Sequence, residues 1–308
     1  MSDQYPRDLN GYAGQTPDPK WPGRARIAVN FVLNIEEGSE TNVLHGDARN
    51  EGGLSEVVGG RHPAGKRDLG LESLYDYGPR AGAWRVLRLF RERDIPMTVF
   101  GCALALERAP ALTEAFAEAG YDIAGHGWRW VNHYEMDEAT EREHIEKAIE
   151  SIRRLTGDRP HGWYCRYAPS DNTRRLLVEE GGFLYDSDSY SDDLPYWERV
   201  AGKDHLVIPY TLDTNDVKFG APASYGSGHD FFNHLKDSFD QLYEEGADAP
   251  KMLSVGLHTR LVGRPGRARA LARFLDHVLS HSDVWVTRRV DIARHWIAHH
   301  SPATKRNP

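Results

Sequence analysis

The sequence predicts an α/β protein whose architecture is a distorted (β/α) barrel of about seven parallel strands. Three observations carry that prediction. Short apolar runs rich in β-branched residues alternate with amphipathic stretches of helical period, the pattern of a mostly parallel sheet covered by helices. The number of such runs, about seven or eight, fits barrel-like closure better than an open sheet. Polar and titratable residues recur directly after the runs, where the carboxyl ends of parallel strands line one mouth.

Taken in order, a polar extension of about 25 residues, rich in proline and glycine, leads to "ARIAVNFVLN", a buried strand over about 26–34. Residues 36–82 show no sustained period, and an ordered, functional loop is expected there. Then follow "AWRVLRLFRERD" as helix, "PMTVFGC" as strand, "PALTEAFAEAG" as helix and "YDIAG" as strand. "MDEATEREHIEKAIESIRRLTG" is a long helix with Asp137 near its positive end and Gly157 closing it. "GWYC" is a strand, "NTRRLLVEEGG" a helix, and "FLYD" and "LVIPY" are strands with no helix between them, where distortion is expected. "DFFNHLKDSFDQLYEEG", "MLSVGL", "RARALARFLDHVLSH", "VWVT" and "DIARHWIAHH" complete the alternation. With no repeat, low-complexity tract or linker, one catalytic domain over 1–308 is the simplest reading.

Composition narrows the classes. A chain of 308 residues with 40% hydrophobic side chains fills a substantial core. Its net charge of -8 and the absence of a basic run argue against nucleic acid as partner. No stretch approaches the roughly 20 apolar residues that span a bilayer, and the start lacks a secretory pattern, so a cytoplasmic protein without a membrane partner is expected. Cys102 and Cys165 are too few for a disulfide framework or a zinc cluster.

The strand-end residues are Glu36 and Glu37, His126, Arg166, Asp186 and Asp188, Asn215 and Asp216, and His258, with Arg260 two positions on. Each has an ordinary alternative. Adjacent glutamates are commonly a solvated pair, though burial after a strand makes an unpaired charge costly. Asn215 and Asp216 also suit a turn. A lone histidine such as His258 is commonly a satisfied core residue, Trp128 and Trp130 serve equally as core aromatics, and "SDSYSDDLPYW" reads as an acidic loop. His277, His281, His295, His299 and His300 read as ordinary surface histidines of helices or the C-terminus, whereas His45, His62 and His133 stay undecided in loops.

In order, these groups resemble the polysaccharide deacetylase (NodB-homology, carbohydrate esterase family 4) superfamily, with its T-F-D-D-G, H-S-x-x-H, R-x-P-Y-G and late L-x-H motifs. The counterparts are "NIEEG", "HGWRW", "RYAP" and "LH" ending at His258. The resemblance puts Glu36 on the base, Glu37 and His126 on two metal positions, Trp130 on the third, and His258 on the acid. Indole has no lone pair for a cation, and one carboxylate with one imidazole holds a divalent ion weakly, so a site without metal is expected. Long stretches, among them "FVLNIEEG", "LESLYDYGPRAG", "VIPYTLDTND" and "APKMLSVGLHTRLVGRPGR", are similar to the deacetylase-like allantoinases of purine catabolism. That resemblance implies opening of the hydantoin ring of allantoin to allantoate, no required metal, and a homo-oligomer, with a tetramer favoured. "WYCRYAPSDNT" departs from that branch in composition, which bears on where Arg166 lies.

Cyclic amide hydrolysis needs an activated water, charge at the carbonyl oxygen and a proton for the leaving nitrogen. The expected roles are therefore Glu36 as base, its pKa lifted beside Glu37, His258 as acid, and His126, Arg166 or Arg260 at the oxyanion. Trp130 is expected to be a wall or donor to a flat polar ring, with Asn215 and Asp216 as substrate contacts. Other readings remain: a hydrolase of another cyclic imide or hydantoin, a sugar N-deacetylase holding metal through Glu37, His126 and a third ligand such as His45 or His133, and an inactive barrel that binds a small ligand or a partner.

Overall fold

The computed structural model describes residues 7–57, 64–220 and 225–302. Nine strands form one curled sheet: β1 (Ile27–Ile35), β2 (Thr98–Gly101), β3 (Asp122–Gly125), β4 (Gly162–Trp163), β5 (Tyr185–Asp186), β6 (Tyr196–Val200), β7 (Lys203–Val207), β8 (Lys251–His258) and β9 (Val284–Val286). The helices are α1 (Leu69–Tyr77), α2 (Ala83–Arg91), α3 (Ala103–Arg108), α4 (Pro110–Glu118), α5 (Glu138–Thr156), α6 (Thr173–Glu180), α7 (Gly228–Glu245), α8 (Pro265–Leu279) and α9 (Arg289–His299). The strand order is β6-β7-β5-β4-β3-β2-β1-β8, every pairing parallel except β6 with β7. This is the distorted (β/α) barrel that the alternation predicts.

The distortion has two sources. β9 pairs with the first part of β1 (Ile27 to Val29) and β2 with the last part (Val32 to Ile35), so one edge of β1 is shared between two neighbours. Between β7 and β8 the chain closes the wall without a regular strand. There Thr214 donates its hydroxyl to the Ser254 carbonyl at 2.6 Å and accepts the Gly256 N–H at its own carbonyl.

The period-2 alternation of strands sorts side chains between two environments. On β1, Ile27, Val29, Phe31, Leu33 and Ile35 face outward to the helices, with Phe31 edge-on to Phe90 of α2 and Phe274 of α8. Ala28, Asn30, Val32 and Asn34 face the interior. Val32 packs there with Phe100, Ala124, Tyr164 and Tyr210. Below this aromatic layer, Arg289 from the start of α9 plugs the barrel. Its buried guanidinium donates to Asn30 at 2.8 Å, Ser254 and Ser187 at 2.9 Å, and the carbonyls of Ile208 and Pro209. A buried cation is tolerated because its donors are nearly all used.

Several expectations need correction. The stretch 36–82 is not wholly irregular: α1 starts on an Asp68 cap that accepts the Leu71 N–H at 3.0 Å, and a π-turn (Gly78–Gly82) joins it to α2. The acidic reading of "SDSYSDDLPYW" overlooked β6, whose polar exposed face hid the strand pattern. α3 was also missed, being only six residues long. "GWYC" and "FLYD" contribute only two residues each to the sheet, because the residues after them turn into the barrel mouth. α5 is as predicted, with the Asp137 carboxylate accepting the Thr140 N–H at 2.8 Å and Gly157 in the left-handed region. His62 lies outside the described residues.

The π-turn matters for the site because it lets backbone approach backbone. A Cβ on Gly82 would lie 2.0 Å from the Thr259 carbonyl oxygen, and one on Gly78 2.5 Å from Glu37 Oε1. Gly82→Ala is therefore expected to destabilise the fold by about 1–3 kcal/mol, the usual cost of overpacking, read as a lower urea midpoint. An unchanged midpoint would show that this contact relaxes freely.

Candidate active site

The same alternation decides which strand-end groups meet. Glu36 continues the interior face of β1, His126 that of β3 after Ala124, and His258 that of β8 after Ser254 and Gly256. Register brings the strands level, Asn34 lying opposite both Phe100 and His258. Glu37 falls on the outward parity.

The result is a tight polar cluster. Glu36 Oε1 lies 3.3 Å from His258 Nε2 and 3.4 Å from His126 Nε2, while Glu36 Oε2 accepts from Arg260 Nη1 at 2.7 Å. On its other side His258 donates Nδ1–H to Asp216 Oδ1 at 2.7 Å. The second Asp216 oxygen accepts the backbone N–H groups of His258 at 2.8 Å and Val262 at 2.9 Å. His126 donates Nδ1–H to the Tyr164 carbonyl at 2.8 Å, with its ring stacked on Tyr164 at 5.2 Å. Glu36, His126, Asp216, His258 and Arg260 are all almost fully buried.

Burial alone would raise the Glu36 carboxyl, but Arg260, His258 and His126 together hold it well below the usual carboxylate range. The expectation that its pKa is lifted beside Glu37 is thus overturned: the nearest charges are cations. Burial alone would lower His258, yet the carboxylates of Glu36 and Asp216 hold it up at about 9. At neutral pH the cluster is carboxylate and imidazolium, charged as a water-orienting base and a proton donor must be.

A small cavity of about 30 Å³, room for roughly two waters, opens off this cluster. Asn34, Glu36, His126, Trp130, Tyr164, Arg166, Tyr210, Asn215 and His258 line it, with Leu54, Tyr167, Leu212 and Val217 completing the lining. Trp130 is a buried wall under the Arg166 guanidinium, 3.8 Å from its ring centroid. Arg166 lines the cavity despite the altered loop, fixed by Glu51 at 2.7 Å and by the Trp130 carbonyl at 3.0 Å.

Three predicted site residues do not line it. Glu37 accepts from the Thr259 hydroxyl, from Arg260 at 3.2 Å and from the Glu36 N–H, so it anchors Arg260 instead of facing a substrate. Arg260 is locked between the two glutamates and packs on Tyr75. Asp216 is spent on His258. Asn215 does reach the cavity, but its amide is engaged by the Thr211 carbonyl and the Val217 N–H. Asp186 and Asp188 lie away from it, on Arg174 and the Cys165 N–H. Tyr164, Tyr210, Glu51, Leu54, Tyr167, Leu212 and Val217 were missed by the sequence reading: Tyr164 and Tyr210 sit at strand ends but read as apolar strand residues, and the others approach from connecting segments.

The deacetylase metal can be tested against these donors. Glu37 is occupied by Thr259 and Arg260, and Trp130 supplies no lone pair. His45 is turned to Arg108 and the Glu40 carbonyl, and His133 packs edge-on to Trp163. Glu36 Oε1 approaches the Nε2 atoms of both His126 and His258, but among the described residues no three ligand atoms at the barrel mouth all lie within 4.8 Å of one another. The residues do not fit a divalent ion, and the Arg260 guanidinium supplies the fixed positive charge beside Glu36.

A family model, Polysaccharide deacetylase, matches residues 67–185. A Schizosaccharomyces pombe protein assigned to the polysaccharide deacetylases is 39% identical over 96% of this chain and 98% of its own. The chain belongs to the polysaccharide deacetylase family. Among solved structures, Puue allantoinase superposes with a TM-score of 0.94 at 57% identity, covering 97% of this chain and 99% of its own. A probable polysaccharide deacetylase from Pseudomonas aeruginosa PAO1 gives 0.93 at 56%, with coverage of 97% and 99%. Membership of this deacetylase family points to a hydrolase of C–N bonds. Among the described residues no helix is long and apolar enough to cross a membrane.

Proposed function

We propose that this protein opens the hydantoin ring of allantoin to allantoate without a metal ion. The observation that carries the reading is the Glu36 carboxylate facing a His258 imidazolium held by Asp216, beside a tryptophan where the deacetylase metal histidine would be. The 57% identity to an allantoinase structure supports the ureide, although a structure named for a probable polysaccharide deacetylase is 56% identical, so the missing metal ligand at Trp130 carries the choice.

Glu36 Oε1 and His258 Nε2 stand 3.3 Å apart. A ring entering between them, with a water, requires Leu212, Val217, Leu54 and Tyr167 to yield. Water then adds its oxygen to the ring carbonyl carbon as Glu36 Oε1 takes one of its protons. The ring C–N bond breaks as His258 Nε2 donates to the departing nitrogen. The proton on Glu36 returns to His258, so the net change is the addition of one water. Arg166, stacked on Trp130, and the His126 ring flank the carbonyl as its charge develops. A homo-oligomeric state, tetramer first, is part of the same proposal.

The test is allantoate formation from racemic allantoin by purified protein, with and without a strong chelator, beside an N-acetylglucosamine oligomer. Equal turnover of allantoin in both conditions is the expected result. Loss of turnover in chelator overturns the metal-free site, and acetate released from the oligomer with no allantoate formed overturns the substrate.

A further inference from the structure

Far from the barrel mouth, Asp240 of α7, His277 of α8 and His281 just beyond it converge. All three were expected to be ordinary surface residues or were not singled out. α8 begins seven residues after His258 and runs away from the mouth, so His277 lies about 18 Å along it from Pro265 at 1.5 Å per residue. One ligand atom from each of the three lies within 4.8 Å of the other two.

We propose that Asp240, His277 and His281 form a binding site for a transition-metal dication of the zinc class, clamping α7 to α8. Two imidazoles and one carboxylate are the ligand set of an open zinc site, with water completing a tetrahedron. Hard cations such as magnesium and calcium want oxygen donors instead.

Three features show that the side chains are already arranged as ligands. His281 Nδ1 lies 2.9 Å from the His277 carbonyl, which can only accept, so Nδ1 carries the proton and Nε2 keeps its lone pair. Fixing the tautomer through the other ring nitrogen is what partners of metal-bound histidines do. His277 Nε2 lies 2.7 Å from Asp240 Oδ1, and Lys236 pairs with the other carboxylate oxygen, leaving Oδ1 toward the imidazoles. The rings are held by aromatic walls: Phe239 at 5.4 Å from His277 and 5.0 Å from His281, and Tyr243 at 5.0 Å from His281. His277 and Asp240 are only 18% and 30% exposed at the side chain, so the site is shielded yet reachable. On binding, the metal takes the place of the hydrogen between His277 Nε2 and Asp240 Oδ1, the imidazole stays neutral with its proton on Nδ1, and three metal–ligand bonds form in place of one hydrogen bond.

The whole protein, stripped with chelator and dialysed, is titrated with zinc chloride by calorimetry and with cobalt(II) by visible absorption. Expected are one equivalent bound, a tetrahedral cobalt spectrum, and an unfolding temperature that rises with zinc concentration. His281→Gln and Asp240→Asn are expected to bind at least about 100-fold more weakly, with ring hydrolysis equal to wild type. Circular dichroism of both variants in chelator, matched to wild type in chelator, keeps a folding defect from passing as lost affinity. No binding by wild type at micromolar zinc overturns the site, and so does undiminished binding by folded His281→Gln, which would place the metal elsewhere.

Discussion

Glu36→Gln is expected to lower turnover of the ring substrate by about 10²- to 10⁴-fold, the worth of a positioned general base, while the protein still binds its ligand. Glutamine keeps the shape and an acceptor oxygen, but cannot take a proton from water. The substitution also leaves the Arg260 and His258 cations facing a neutral group. Breaking a buried ion pair costs up to about 3–5 kcal/mol, so unfolding by urea has to be measured beside the kinetics. Arg260 retains Glu37, its second partner, which limits that loss. A folded Glu36→Gln protein with wild-type turnover would remove Glu36 from the chemistry and favour a ligand-binding barrel.

His258→Gln is expected to reduce turnover by a similar factor, about 10²- to 10⁴-fold, because the departing nitrogen loses its proton donor. The pH dependence separates this from a packing role. His258 in the folded protein titrates at about 9 against a usual value of 6.5. A group raised on folding contributes stability that is fully present below 6.5 and is lost as the pH rises through about 9. Wild-type stability should therefore fall over that window, and activity should fall with the loss of imidazolium near its top. Asp216→Asn removes one of the carboxylates that hold His258 up, so the alkaline limb of the activity profile should move to lower pH. An alkaline limb unchanged in folded Asp216→Asn would mean that the limb reports another group.

The fold was legible because its signal is local and repeated. Alternating apolar runs and amphipathic helices require only the residues within each segment, and the caps at Asp137 and Gly157 mark α5 without reference to any neighbour. The elements that escaped were those whose local pattern is weak: β6, an edge strand with a polar face, α1, embedded in a long stretch of glycine and acidic residues, and α3, only six residues long. Strand parity was a signal present in the sequence and left unused. Counting alternate positions from the apolar face of "IAVNFVLNI" puts Glu36 inside and Glu37 outside, which is the distinction that the adjacent pair obscured.

The sequence by itself determined the barrel, the strand-end positions of Glu36, His126 and His258, and an indole without a lone pair for a cation at Trp130. What only the tertiary structure decided is which charges face one another. Arg260 lies 224 positions from Glu36 in the chain, and Asp216 lies 42 from His258, yet these pairs fix both protonation states. The same holds for the Arg289 plug and for the imidazole pair at Asp240. Interactions that fall off steeply with distance and depend on exclusion of water have no counterpart in sequence spacing, so folding had to bring their partners together before the chemistry could be read.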